Sequence, residues 1–416
     1  MNSSVKKIYA SLELGDYELK LLVGEYFNTR FNIIKTQKMP SRAFDGFTIT
    51  DKAILIDEIK QLVSEASKKI GAKIEKVILV LPSYNFKRFP LRSSVLPIDG
   101  IVRKSDIARA VTNSLNTEVD FDSIVANTVI SKYTMNGISS RRLPEKEVCD
   151  NLIVDIDLLC CDKLLAFDYI SVVEEAGLQV LDICLNSYAI VKEASLIEES
   201  LKKNIVVLDI NIQDTFLTLL SKGKLVSSEV IFEGLDQMIN AVTNNFKVPF
   251  VDATRLVKYA TDYYSTHGDD IVYSSPEHST EEAVTTNSLS NLVANPLDKF
   301  VNKLVTMCKP ILDQGEAMIV VTGDGQDMKA LVDRIKQLSN VEVKTYIPDT
   351  IGVRDSSYTA LFGSLIVFNE KVNLNDLNVS SIDLLEYDSV IDQKKIETDG
   401  DTLTTKIKNL FSQYIN

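Results

Sequence analysis

The order of secondary-structure signals in this chain occurs twice, and that repeat limits the fold more than any other feature. Lys7–Leu14, Leu19–Tyr26 and Arg30–Lys38 read as three short strands joined by tight turns. A helix follows from Asp51 to Ile70, with Ile54, Ile56, Ile59, Leu62, Val63 and Ala66 at helical spacing, and then a buried strand, Lys76 to Leu81. The order returns at Asn204. Strands Asn204–Ile210, Thr215–Ser221 and Leu225–Phe232 precede helices Asp236–Phe246 and Val251–Tyr264, and a strand Met318–Thr322 closes the set. A repeat this long is a duplicated domain and not a short-period solenoid. Mixed sheets flanked by helices, built twice, predict two α/β lobes with a cleft between them. The 416 residues, 45% of them apolar, suffice for more than one core.

Between the copies, Pro82 to Gln179 belongs to neither. Strand patterns (Val125–Tyr133, Asn151–Leu158) and helix patterns (Lys104–Leu115, Lys163–Ala176) predict an inserted α+β subdomain. Residues 180–370 are assigned to the second lobe and the chain's return to the first. Within them Thr266 to Asn295 is rich in Ser, Thr and Asn and reads as a loop or small insert. Lys371 to Asp401 carries eight acids with no sustained apolar period and reads as an acidic linker. From Thr402 to Asn416, Leu403, Ile407, Leu410, Phe411 and Tyr414 fall on one helical stripe, with Lys406 and Lys408 off it. Such a terminal amphipathic helix predicts lipid contact, the five apolar side chains contributing roughly 5–8 kcal/mol before ordering costs.

Composition removes several classes of function. A net charge of −13 argues against a nucleic-acid partner and against spreading the whole body on an anionic membrane. The five cysteines (Cys149, Cys160, Cys161, Cys184, Cys308) fit neither a zinc site nor a disulfide scaffold and read as reduced thiols. With His267 and His278 the only histidines, a His-based metal site or triad is not expected. No apolar stretch reaches the roughly 20 residues that span a bilayer, and no signal peptide is read, so a soluble, intracellular protein with a peripheral anchor is expected.

Chemistry is expected at the first turn of each lobe, where backbone N–H groups could cradle phosphate oxygens. Glu13-Leu14-Gly15 and Leu22-Val23-Gly24-Glu25 resemble the first phosphate motif of the FtsA family of bacterial cell-division proteins. Val207 to Ile210 is similar to the start of the second. Gly234 to Gln237 and Ala253 to Lys258 are similar to the helix signals that follow, Ile319 to Gly325 to the adenosine motif, and Pro348 with Ile351-Gly352 to the late turn. The resemblance covers essentially the whole chain, including the insert and the tail.

It implies duplicated actin-like (ribonuclease H-type) lobes around a nucleotide cleft, as in the actin, heat-shock-chaperone and sugar-kinase superfamily. ATP with Mg²⁺ would lie among Glu13, Gly15, Asp209, Gly234, Lys258, Gly323, Asp324 and Gly325, with Lys258 against the adenine. It further implies a non-enzymatic division protein on the cytoplasmic face of the cell membrane. Its partners would be the C-terminal peptide of the tubulin-like FtsZ, inner-membrane lipids through Leu403, Lys406, Ile407, Leu410, Phe411 and Tyr414, and further copies of itself in filaments. The chain departs from the family at the phosphates. Glu18 stands where Lys is usual, and Asn211, Ile212, Gln213 and Asp214 replace a Gly-Gly-Gly-Thr run. Asp16, Glu18 and Asp214 would each repel a triphosphate by about a kcal/mol or more, so nucleotide binding is expected to be weakened or structural. A working ATPase or kinase on the same fold, and a pilus-assembly adaptor of the PilM kind, are the alternatives; the tail speaks against the latter.

Overall fold

The computed structural model describes residues 6–15, 17–261, 269–274 and 283–390. The first lobe opens with β1 (Lys7–Leu14), β2 (Glu18–Phe27), β3 (Arg30–Pro40), α1 (Lys52–Ile70) and β4 (Lys76–Leu81). The chain leaves it for β5 (Lys87–Val95), α2 (Lys104–Leu115), β6 (Ser123–Met135), β7 (Ile138–Ser140) and β8 (Leu152–Asp162), then continues through α3 (Lys163–Glu175), β9 (Gln179–Leu185) and α4 (Asn186–Glu193). The second lobe holds β10 (Asn204–Ile210), β11 (Thr215–Ser221), β12 (Lys224–Ile231), α5 (Asp236–Phe246), α6 (Phe250–Tyr259), α7 (Thr286–Leu312), β13 (Ala317–Thr322), α8 (Lys329–Ser339) and β14 (Glu342–Thr345). Helix α9 (Thr359–Leu374) runs back to the first lobe.

The duplication is present in the sheets. One has the order β3-β2-β1-β4-β9 and the other β12-β11-β10-β13-β14. In each, three antiparallel strands are extended by two strands parallel to the first. The fifth strands, β9 and β14, carry no alternating apolar signal and were not expected; in β14 only Val343 is partly covered. Helix α1 forms where the apolar spacing predicts. Asp51 caps it by accepting from Ile54 N, and Gly71 ends it in the left-handed region at φ 86°. Its buried face runs through Leu55, Ile59, Leu62, Val63, Ala66 and Ile70, while Ile54 is half exposed.

The inserted subdomain is smaller than its sequence span. Strands β5, β8, β6 and β7 form a separate sheet with a small core that includes Val102, Ile107, Val154 and Ile156. Helix α3, expected as part of the insert, buries Ala166, Tyr169, Val172 and Val173 in the first-lobe core. The first lobe therefore also owns β9 and α4, which the expected boundary at residue 180 divided from it. Only packing could assign them, because an amphipathic helix does not encode which sheet it covers.

Two expected irregular stretches are partly regular. Residues 286–295 form the start of α7, because Thr285 caps it and exchanges bonds with Ser288 in a capping box. Residues 269–274 and 283–285 carry a short strand pair, Ile271–Tyr273 with Val284–Thr285. The acidic linker does not begin at Lys371. Residues 371–374 complete α9, and the chain then crosses the first lobe. Ser381 N–H donates to Ile8 O at 2.7 Å, and Ala10 N–H donates to Ser381 Oγ at 2.8 Å. Ile382 bridges to Ile74, and residues 384–390 are helical, with Tyr387 buried. Ile382 and Tyr387 are buried in the core with Val379 and Leu384 partly buried beside them, a spacing that makes no regular period in the sequence. The rest of the expected linker, 391–401, and the tail helix at 402–416 lie outside the described residues, including Leu403, Lys406, Ile407, Leu410, Phe411 and Tyr414. All five cysteines are buried and free of disulfides.

Candidate functional site

The first turns of the two lobes form opposite walls of one small cavity. On the first-lobe side Gly15 N–H donates to Glu18 O at 3.2 Å, closing β1 onto β2. Side chains alternate along a strand, so Glu18 and Lys20 leave β2 on the same side, and the register sets Lys20 opposite Glu13. Lys20 Nζ lies 3.5 Å from Glu13 Oε2 and 3.9 Å from Glu18 Oε1. Burial would lower the Lys20 pKa, but Glu13, Glu18 and the more distant Asp324 and Asp209 raise it above the ordinary lysine range. Lys20 is thus a permanent cation. Burial raises Glu18, while Lys20 and Lys38 oppose that shift. Lys38 Nζ lies 3.7 Å from Glu18 Oε2 and 3.9 Å from Asp355 Oδ2.

The second-lobe turn is filled by its own side chains. Asn211 N–H donates to Asp214 O, and Asn211 Nδ2 donates to Asp214 Oδ1, both at 2.9 Å. Asn211, Gln213 and Asp214 line the cavity, Asn211 and Gln213 where the family's run has glycine and Asp214 where it has threonine. Asp209, at the end of β10, is pushed up to about 7 by burial, with Asp214 and Glu13 adding to the shift. Gly323, Gly325 and Gly234 converge behind this turn. Gly323 has φ 72°, and a Cβ there would stand 2.5 Å from Asp209 Oδ1. One on Gly325 would stand 2.6 Å from Ile210 Cβ, and one on Gly234 would overlap the carbonyls of Asn211 and Ile212. The three glycines let separate segments close on residues 209–212. Protein, not an open cradle, occupies the space they provide.

Lys258 does not present a free ammonium to a base. Its Nζ lies 2.7 Å from Asp324 Oδ1 and 2.9 Å from Asp327 Oδ2, both on the 3-10 turn Asp324–Asp327, and 5.5 Å from the Tyr259 ring centroid. Burial would lower its pKa, but Asp324 and Asp327 outweigh that and raise it. The structure therefore gathers Glu13, Gly15, Asp209, Gly323, Asp324 and Gly325 about the cleft, puts Gly234 behind the second turn, and ties Lys258 to Asp324.

Several residues that shape the cavity were not expected: Lys20, Phe47, Asn186, Phe216 and, next to Tyr17, Phe250. Lys20 had a signal, since a tight turn after Glu13 fixes which β2 residue faces it. The aromatic residues had none. The cavity holds about 60 Å³, enough for water, whereas small-molecule sites run to ~300–1,000 Å³. With side chains in both phosphate turns and each facing lysine held by two carboxylates, these residues do not fit a triphosphate. Among the described residues no group of three or more His, Cys, Asp or Glu could hold a metal ion. Nor is any helix among them long and apolar enough to cross a membrane.

No family model matches the chain. Curated relatives and solved structures do. The cell division protein FtsA of Bacillus subtilis (strain 168) is 21% identical over 85% of this chain and 81% of its own length. FtsA of Enterococcus hirae is also 21% identical, over 98% of each chain. Among solved structures, a PilM–PilN type IV pilus biogenesis complex matches with TM-score 0.56 at 14% identity, covering 86% of this chain and 98% of that one. MreB5 of Spiroplasma citri, bound to ADP, matches with TM-score 0.51 at 14% identity, covering 89% and 99%. At such identities the solved structures speak for the fold alone. The duplicated sheets, the lobes they build and the cleft between them are an actin-like fold, and over most of its length the chain resembles the cell division protein FtsA.

Proposed function

We infer that this chain is a cell-division adaptor that holds FtsZ polymers at the inner face of the membrane and associates with copies of itself. The observation that carries this reading is the near end-to-end likeness to proteins named cell division protein FtsA. The apolar stripe of Leu403, Ile407, Leu410, Phe411 and Tyr414, flanked by Lys406 and Lys408, supports a lipid-seeking tail. Weak single-tail binding suits an adaptor that gains avidity when several copies and their polymer bind together. The partner on the polymer side is the FtsZ C-terminal peptide.

The cleft supports an adaptor more than an enzyme. MreB5, with the same fold, was solved with ADP. Here ATP with Mg²⁺ would have to lie among Glu13, Gly15, Asp209, Gly323, Asp324 and Gly325, with Gly234 and Lys258 behind, where carboxylates outnumber the lysines and the lysines are already paired. Nucleotide is therefore weakly held and plays no catalytic part.

The test removes Leu403 to Asn416 and compares sedimentation with vesicles of anionic phospholipid, alone and with FtsZ filaments. Full-length protein is expected to carry FtsZ down with the vesicles. The truncated chain is expected to bind FtsZ but leave the vesicles behind. Unchanged sedimentation of the truncated chain with vesicles overturns the anchor, and failure of the full-length chain to bind FtsZ overturns the adaptor.

A further inference from the structure

We propose that the two lobes are clasped by the chain's own aromatic side chains on both sides of the cleft, so that closing the cleft does not depend on a bound nucleotide. The rings belong to different lobes. On one side Tyr17, in the first-lobe turn, lies 5.3 Å from Phe250 at the start of α6, with ring planes 39° apart. Tyr17 also packs on the second-lobe core. On the other side Phe47, in the tight hairpin turn that follows β3 and precedes α1, stacks on Phe216 of β11 at 5.7 Å and 19° and meets Phe232 at 5.2 Å. Tyr84, just after β4, packs against Phe47 at 5.7 Å and Phe232 at 6.2 Å. Deeper between the lobes, Ser187 Oγ and Ser228 Oγ share a hydrogen bond at 2.6 Å, and both are buried.

The two lysines between the clasps are already paired without a ligand. Lys20 serves Glu13 and Glu18 within the first lobe, and Lys258 serves Asp324 and Asp327 within the second. Neither Lys20 nor Lys258 is an unmatched cation that phosphates would be needed to neutralise. Opening the cleft would separate four ring contacts and wet the faces of Phe47 and Tyr17, so apolar burial itself favours the closed arrangement. A ligand shifts a conformational equilibrium only by its difference in affinity for the two states. Where closure is complete beforehand, added nucleotide has nothing left to shift. The proposal rests on the misfit between cleft and triphosphate and not on the division role, so the two can fail separately: vesicle and FtsZ binding do not read lobe separation.

The experiment is solution scattering on the full chain, with and without excess Mg²⁺ and ATP, beside a Phe47→Ala/Phe250→Ala variant whose fold is checked by circular dichroism. The wild-type radius of gyration is expected to be the same in both conditions, and that of the variant to be larger without nucleotide. Contraction of the wild type on adding Mg²⁺ and ATP overturns the proposal, as does a variant with the wild-type radius. If the double variant does not fold, Phe232→Ala replaces it, since that ring is 54% exposed, and hydrogen exchange at residues 211–217 becomes the readout. Faster exchange there than in the wild type supports the clasp, and an unchanged rate refutes it.

Discussion

Lys20 is the counter-ion of the cleft, and replacing it by Met should show how much of the first lobe depends on it. The variant keeps most of the side-chain stem and loses the charge, leaving Glu13 and Glu18 without their shared partner and Asp209 without a nearby cation. The lysine side chain is 11% exposed and the two glutamates 20% and 16%, so solvent screens the group only in part. Removing one member of a buried ion pair costs ~3–5 kcal/mol, and the lower end applies to a site with this residual access. For a cooperative unit of lobe size, that corresponds to a melting temperature lower by roughly 6–12 °C.

The deficit should depend on pH, with a definite sign. A buried acid whose pKa is raised in the folded state contributes stability that is full below the ordinary carboxylate value and is lost as pH rises through the folded value. For Asp209 that window runs from the ordinary value near 3.8 up to about 7, and Glu18 is shifted in the same direction. Loss of Lys20 raises both further, so the deficit should be full near pH ~8 and much smaller near pH ~5. Thermal melts at the two pH values, followed by circular dichroism, make the measurement. Adding Glu13→Gln to Lys20→Met should restore part of the loss, as coupled neighbours do. A deficit below about 2 °C at the higher pH, or equal deficits at both, would refute the role given to Lys20.

Two further outcomes follow from the same structure. A chain ending at residue 390 should melt with the full-length protein. One ending at Leu374 should melt well below it, because the N–H of Ala10 loses its Ser381 acceptor and each buried group left unpaired costs ~1–3 kcal/mol; equal melting of the two truncations would contradict the docking of residues 375–390. Glu193 is pushed up to about 7 by burial, against a side-chain hydrogen bond with Tyr346 that lowers it. Glu193→Gln cannot ionise, so it should gain about a kcal/mol or more over the wild type above pH ~7 and little below pH ~5, and parallel stability curves across that range would exclude the assignment.

Much of the fold was legible because it is written in local pattern. The buried apolar runs of β1 and β10, the 3.6-residue period of α1 with its Asp51 and Gly71 ends, and the return of the same order at Asn204 locate two lobes and a cleft between their opening turns. The loss of glycines at Asn211 to Gln213 was equally readable, and side chains of that turn line the cavity. The meaning of Gly234, Gly323 and Gly325 was not. A glycine records that something comes close, and whether that something is ligand or Ile210 is a fact about neighbours distant in the chain. Lys258 misled for a similar reason, since nothing near it in sequence announces Asp324 and Asp327.

By itself, then, the sequence determined what period and turn chemistry can encode: the duplicated α/β plan, the place of the cleft, the degraded phosphate turns and the amphipathic stripe at 403–414. Only the tertiary structure decided that α3 and β9 complete the first lobe, that Ser381 is stitched to Ile8 and Ala10 some 370 positions away, that Lys20 carries the charge of the cleft, and that Tyr17 with Phe250 and Phe47 with Phe216 close it. Each of these is a contact between residues remote in sequence. Such contacts leave no local spacing behind, because they depend on which faces the finished lobes turn toward one another.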